Sequence, residues 1–210
     1  MRVALIVPIK SFSSAKARLE DVLSIAERVQ LARWSAERTV KAFVGADIDH
    51  EVLVVCEDTD VQQWCHDNKI SFVVPLEPGL DAAATAGVVE ALKRDVDMLV
   101  IAHADLAHPE ELPELAHDRC IEFITLVPDL DFNGTNVIAM PASVATQFEF
   151  MYGPGSFARH AEIAESIADA SDVMLHVVDD SLLSIDIDTA DDLMIPSVRA
   201  ILPFEFREPA

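Results

Sequence analysis

Short aliphatic runs recur along the chain, and most are followed by a stretch in which apolar residues return every three or four positions. Residues 3–8 form the first run and predict a strand. Residues 9–18 are polar without helical spacing and predict a loop. Val22, Ile25, Val29, Leu31, Ala32, Ala36 and Val40 then mark one long helix. Ser24 is its cap, and Arg28 and Arg38 fall on its wet face. Residues 51–56 predict a strand, 60–67 a short helix, 71–74 a strand and 82–92 an Ala-rich helix.

The run Met-Leu-Val-Ile-Ala at 98–102 is aliphatic throughout, as a central strand of a parallel sheet should be. It breaks into His103 and Asp105, and Pro109 opens a helix over 109–117. Strands follow at 122–127 and 137–140 around a loop at 129–136. An extended piece at 148–152, a helix at 156–168, strands at 173–178 and 183–187 and a final helix at 189–199 complete the chain. Strands and helices alternating over most of the length predict an α/β fold with a mostly parallel central sheet, built as one domain over 1–210.

In open sheets of this kind ligands collect beyond the carboxyl ends of the strands, which places Asp105 at the rim of the crevice. The simpler role for Asp105 is to cap the helix at Pro109.

With 210 residues, 51% of them hydrophobic, the chain can bury a full core, which excludes disorder. No apolar run approaches the ~20 residues of a membrane span. The first residues are charged too early for a secretion signal. Three cysteines (Cys56, Cys65, Cys120) form no C-x-x-C pair, which fits a reducing, cytoplasmic setting. A net charge of -22 disfavours nucleic acid and anionic membranes as partners. The charge is unevenly spread. Residues 1–19 hold Arg2, Lys10, Lys16 and Arg18 and no acid, where an even spread would put about three. A basic patch kept free of carboxylates points to an anionic small ligand.

Four segments carry candidate chemistry. The loop from Pro8 to Leu19 follows a strand, as nucleotide loops do, yet matches neither common phosphate-loop motif. Phosphates would meet Lys16 and Arg18 as charges there, with serines and backbone amides as donors. Asp129-Leu130-Asp131-Phe132-Asn133-Gly134 imitates the start of a calcium loop, but Met140 stands where its bidentate glutamate belongs, so calcium is rejected. Thr135 beside it is a candidate hydroxyl donor. Gly153-Pro154-Gly155-Ser156 lets backbone approach a ligand, and Ser156 begins a helix whose free amides attract anions. An ordinary turn with a serine cap explains it equally well. Asp186 and Asp188 project from one face of a strand end, where two carboxylates repel unless a divalent cation joins them. His103, His108 and His117 lack metal-ligand spacing and serve surface or packing.

Taken in order, these segments resemble the 2-phospho-L-lactate guanylyltransferase family of coenzyme F-420 biosynthesis. The resemblance covers nearly the whole chain. It rests on Val7-Pro8-Ile9-Lys10, Ala15-Lys16-Ala17-Arg18-Leu19, Gly79-Leu80-Asp81-Ala82-Ala83 and Ala104-Asp105-Leu106. It continues in Gly134-Thr135-Asn136, Gly153 to His160, and Asp186-Ile187-Asp188-Thr189. Asp81 departs from it, standing where that family commonly has Asn.

The resemblance implies a three-layer nucleotidyltransferase fold (glycosyltransferase-A-like) related to enzymes of molybdopterin and sugar nucleotides. It implies that GTP is joined to 2-phospho-L-lactate, phosphoenolpyruvate or 3-phosphoglycerate with release of pyrophosphate. Lys10, Lys16 and Arg18 would meet the GTP phosphates, with Pro8, Gly79 and Asp81 also at the nucleotide. Asp105, Asp186 and Asp188 would hold Mg2+, and Thr135, Gly153 and Ser156 the acceptor phosphate. Lys16, Arg18 and Asp105 would carry catalysis. The alternatives are a related nucleotidyltransferase with a molybdopterin or sugar-phosphate acceptor, and a non-catalytic nucleotide-binding protein of the same fold. The labile product suggests hand-over to a downstream transferase. The apolar tail from Ala200 to Phe206 would cover either a second subunit, giving a homodimer, or the chain's own core.

Overall fold

The computed structural model of the chain describes residues 1–179 and 181–206. Seven strands form one sheet: β1 Arg2–Pro8, β2 Asp49–Val55, β3 Ser71–Val73, β4 Met98–Ala102, β5 Phe123–Pro128, β6 Thr135–Pro141 and β7 Met174–Val177. Their order is β3-β2-β1-β4-β6-β5-β7. All neighbours run parallel except at β6, which is antiparallel to both β4 and β5. The mostly parallel sheet expected from the alternating pattern is therefore present, with one reversed strand in its interior.

The helices are α1 Ile25–Val40, α2 Thr59–Asn68, α3 Leu80–Ala91, α4 Ser156–Asp169 and the short α5 Pro196–Arg199. They cover both faces of the sheet, because side chains of a strand alternate between faces. Val3, Leu5 and Val7 of β1 pack with Ala32, Ala36 and Val40 of α1 and with Val61 and Cys65 of α2. Ala4 and Ile6 face the other way, with Ala84 and Val88 of α3 and Ala164 and Ile167 of α4. This makes three layers. A third cluster around Leu19, Leu31, Ile187 and Leu193 takes up Ile201, Leu202, Phe204 and Phe206, so the apolar tail packs on the chain's own core. Among the described residues no helix is long and apolar enough to cross a membrane.

Ser24 caps α1 as expected, in a reciprocal capping box with Glu27. Several expected elements differ. The helix predicted at 109–117 is a 3-10 helix, Pro109–Leu115, with Pro113 inside it; a proline there removes an amide and blocks the α-helical ladder. Residues 183–187 form no strand; a 3-10 turn at Leu182–Ser184 leads to a single bridge between Leu106 and Asp186. The final helix over 189–199 is split into a 3-10 turn, Asp192–Met194, and α5, because Pro196 must open a helix rather than continue one. The piece at 148–152 pairs with no strand. Arg38 is not on a wet face: its guanidinium donates to Ala107 O at 2.6 Å and pairs with Glu110 at 2.7 Å.

Candidate active site

The loop after β1 starts with Ile9, whose amide donates to Val55 O at 2.9 Å, so the chain leaves the sheet along β2. Phe12 is buried and meets Trp64 edge-on, and Leu19 is fully buried. These two anchors arch the basic segment between them. Lys16 lies in the left-handed region, φ 59, a conformation that costs a non-glycine residue and persists only where its surroundings demand it. Here the demand is electrostatic. Lys16 Nζ donates to Asp105 Oδ2 at 2.6 Å and to Asp188 Oδ1 at 3.1 Å, with its side chain only 5% exposed. Arg18 reaches Asp188 at 3.6 Å from solvent, 75% exposed, and Lys10 is exposed.

Asp105 follows the end of β4. The segment 185–187 is tied alongside it by Ala107 N–H to Ile185 O at 2.8 Å and Ile187 N–H to Asp105 O at 3.1 Å. Buried Asn136 holds the same segment through Leu183 O at 3.1 Å. Ligand oxygens of Asp105, Asp186 and Asp188 consequently all lie within 4.8 Å of one another. Thr189 Oγ1 accepts from Asp192 N at 3.4 Å and so helps cap the turn that follows. Asp192 Oδ2 accepts from Asp188 N at 2.8 Å, Thr189 N at 2.6 Å and Thr189 Oγ1 at 3.0 Å, leaving the Asp188 carboxylate turned to Lys16.

The charges of this cluster are unequal. Burial opposes ionisation of Asp105, but the Lys16 ammonium against it wins and holds the carboxyl at about 2. Asp186 has no ammonium hydrogen-bonded to it among the described residues, and the Lys16 charge lowers it only in part. Burial and the neighbouring Asp105 and Asp188 charges push it up to about 7. Burial likewise opposes the charge on Lys16, and the two carboxylates more than offset that, raising it above the ordinary lysine value. Asp105 Oδ1 is buried with no hydrogen-bond partner among the described residues. Three convergent carboxylates, one pushed up by burial and its acidic neighbours and another with an orphaned oxygen, form an all-oxygen donor set that fits a hard divalent cation.

One cavity adjoins this cluster, and a larger one shares part of its lining. The first, of about 220 Å³, is lined by Lys16, Ala104, Asp105 and Asp188. The other, about 890 Å³, runs between the β1 loop, the end of β2 and the Pro75–Gly79 turn. Pro8, Ile9, Lys10, Ser11 and Ser14 line both. Gly79 lines the larger cavity and, at φ 111, caps α3. Asp81, on the first turn of α3, spends Oδ1 on the Tyr152 amide at 2.7 Å and so ties α3 to the Gly-Pro-Gly loop.

That loop is stitched on three sides. Arg159 donates to Met151 O and Pro154 O, both at 2.9 Å. Asn133 Oδ1 accepts from Gly155 N at 2.9 Å. Asp129 accepts from Asn133 N and Gly134 N at 2.8 and 2.7 Å, so its carboxylate staples the β5–β6 turn. Gly155, at φ 75, caps α4, and Ser156 is the first helical residue rather than the cap. The Ser156 amide is spent on Gly153 O at 2.9 Å, leaving a buried hydroxyl there instead of a free N–H. Thr135 is buried, with Oγ1 3.0 Å from His160 Nδ1. His103, after β4, is pushed below the usual histidine range by burial, and its ring lies 5.4 Å from that of Tyr152.

Thus Lys16, Asp105, Asp186 and Asp188 converge and Pro8, Lys10 and Gly79 line the two cavities, whereas Thr135 and Ser156 are buried and neither they nor Gly153 line either cavity. Asp192, Asn136, Asp129 and His160 hold these groups in place, a role that the sequence alone did not give them. Thr189-x-x-Asp192 carried a capping signature and Asp129 a local turn, which could have marked those two; Asn136 and His160 act across 47 and 25 residues.

The fold has counterparts. The fold matches a solved 4-diphosphocytidyl-2C-methyl-D-erythritol synthase from Anaerococcus prevotii, with a TM-score of 0.60 at 13% identity over 94% of this chain and 95% of that one. The class is thereby a nucleotidyltransferase fold. At the level of sequence, residues 2–196 match the family model described as guanylyl transferase CofC like. A phosphoenolpyruvate guanylyltransferase of Sphaerobacter thermophilus is 32% identical over 92% of this chain and 91% of its own length. A 3-phospho-D-glycerate guanylyltransferase of Colwellia psychrerythraea is 27% identical over 92% and 90%. The chain belongs to the CofC-like guanylyl transferase family and is a nucleotidyltransferase.

Proposed function

We propose that the protein transfers GMP from GTP to the phosphate of a small phosphorylated acid and releases pyrophosphate, a step of the kind that serves coenzyme F-420 biosynthesis. The observation that carries this is the meeting of Lys16 with the carboxylates of Asp105 and Asp188, with Asp186 beside them, at a cavity that shares its lining with a larger one. The acceptors named for the relatives, phosphoenolpyruvate and 3-phospho-D-glycerate, are the first candidates, with 2-phospho-L-lactate the third.

The larger cavity suits a nucleoside, with Pro8 and Gly79 on its walls and Lys10 at the shared edge; the smaller suits the phosphates. Asp105, Asp186 and Asp188 hold the cation, which we take to be Mg2+ from the oxygen donors and the phosphate ligands. When bound, it neutralises charge on the phosphates. An acceptor phosphate oxygen is already ionised at neutral pH, so no general base is required. That oxygen forms the new bond to the α-phosphorus of GTP as the bond to the β-phosphate oxygen breaks, and the electron pair leaves with pyrophosphate. Lys16 and Arg18 balance the charge on the leaving group. Thr135, Ser156 and the backbone at Gly153 fix the acceptor's phosphate. Three free thiols, two of them buried, support a cytoplasmic setting.

The test is a screen of the four NTPs against the three acids, reading pyrophosphate release in magnesium. GTP with one of the acids should dominate. Turnover with CTP in place of GTP would refute the proposal, as would GTP binding with no turnover on any acid.

A further inference from the structure

His160 is fully buried on α4, on the side of the molecule where the acceptor's phosphate is proposed to bind, and none of the chemistry above uses it. Both ring nitrogens are engaged. Nε2 is 2.9 Å from the Met151 backbone nitrogen, which can only donate, so Nε2 carries no hydrogen. The single hydrogen of a neutral imidazole is then on Nδ1, 3.0 Å from Thr135 Oγ1. A charged imidazolium would set an N–H against the Met151 N–H. Burial, with the Arg159 and His103 charges adding to it, holds His160 neutral, down at about 4. Tyr152, with its ring edge-on at 4.9 Å, and Phe148 at 5.6 Å lock the imidazole plane.

This fixes the hydroxyl of Thr135. Its oxygen accepts from Nδ1–H, and no other partner is seen for it among the described residues, so its own hydrogen is left to donate. Without the histidine the hydroxyl could turn its lone pair outward and repel an anion.

We propose that His160 is a positioning residue for the transfer reaction, one that sets Thr135 as a hydrogen-bond donor to the acceptor's phosphate and, through Met151, ties that donor to the Gly-Pro-Gly loop. The proposal rests on Thr135 being part of the acceptor site.

The experiment measures pyrophosphate release with GTP and whichever of the three acids supports turnover, for the wild type, H160Q, H160N, T135V and H160Q/T135V. A glutamine amide reaches the place of Nε2, and an asparagine amide that of Nδ1. H160Q should raise the KM for the acid about tenfold, the loss of roughly one hydrogen bond, with the GTP KM within about twofold of wild type. H160N keeps a donor for Thr135 and should recover most of that loss. T135V should show the same rise, and adding H160Q to it should cost little more. In the wild-type protein, nitrogen-resolved NMR should find His160 neutral with its hydrogen on Nδ1 at pH 7, whether or not any variant folds.

An Nε2–H tautomer, an unchanged acid KM in H160Q, a GTP KM rising in step, or additive losses in the double variant would each overturn the proposal. A wild type that releases no pyrophosphate with any acid is a separate failure, that of the proposed reaction. Calorimetric binding of the acids to wild type and H160Q then decides whether His160 acts on acceptor affinity.

Discussion

Leu106 and Asp186 meet in a single antiparallel bridge, flanked by the Ala107–Ile185 and Ile187–Asp105 hydrogen bonds at 2.8 and 3.1 Å. Two main-chain hydrogen bonds thus bring the end of β4 against a stretch some eighty residues later, and with it Asp186 and Asp188 against Asp105. A full strand is not required.

Replacing Asp105 or Asp188 by Asn should lower turnover about 10²–10³-fold while leaving the fold intact, because each carboxylate pairs with Lys16 and is a proposed ligand of the cation. Pyrophosphate release in magnesium and far-UV circular dichroism would check it. Near-normal rates in both variants would contradict the role of the cluster.

Asp186 should make the metal-free protein less stable as pH rises. Its carboxyl sits at about 7 in the fold against 3.8 for an ordinary aspartate. Between those values the folded state binds more protons than the unfolded state, so unfolding free energy falls with pH until the folded group has titrated. Asp186→Asn removes that loss. In chelator, the variant should gain about 2 kcal/mol on wild type between pH 5 and pH 8, less than the full shift because the group is only partly buried. Urea melts at both pH values would show it; an equal difference at the two would refute it.

Asp192→Ala should remove the acceptor for three donors around Asp188 and Thr189. A loss of about 1–2 kcal/mol in stability is expected, the range of a lost cap. The magnesium concentration for half-maximal rate should rise about tenfold as Asp188 loses its fixed backbone. A metal titration of activity beside a thermal melt separates the two effects.

Asp81→Asn should leave nucleotide preference and acid KM close to wild type, since an amide oxygen can accept from Tyr152 N as the carboxylate does. Asp81→Ala should loosen the Gly-Pro-Gly loop and raise the acid KM several-fold, by about the worth of one hydrogen bond. Equal behaviour of the two variants would show that the tie to Tyr152 does not matter.

Gly87→Ala should destabilise despite the better helix propensity of alanine. A Cβ there would stand 2.4 Å from Ile6 Cγ2 and 3.0 Å from Val55 Cγ2, where α3 lies flat on β1 and β2. Overpacking of this kind costs about 1–3 kcal/mol, more than the ~1 kcal/mol of propensity recovered. A urea melt would show the sign.

Much of the fold was written in local pattern. The aliphatic runs at β1 and β4, the apolar spacing of α1 and the Ser24 cap depend on neighbours a few residues apart, and each formed where expected. Where the pattern misled, a proline was twice the cause: Pro113 and Pro196 cut α-helical runs that apolar spacing alone would have continued. The acid-free opening segment and the paired Asp186 and Asp188 were visible as chemistry in search of a partner.

Those partners lie far off along the chain. Lys16 meets Asp105 across 89 residues and Asp188 across 172, and His160 reaches Thr135 across 25. Periodicity carries no information at such distances, since contact there depends on which strands pair and in what register. Reversing β6 between β4 and β5, and closing one bridge at Leu106, converts separate charged residues into a shared electrostatic field. Residue types supply the charges and the donors; the burial and spacing that tune them arise only once the sheet has assembled.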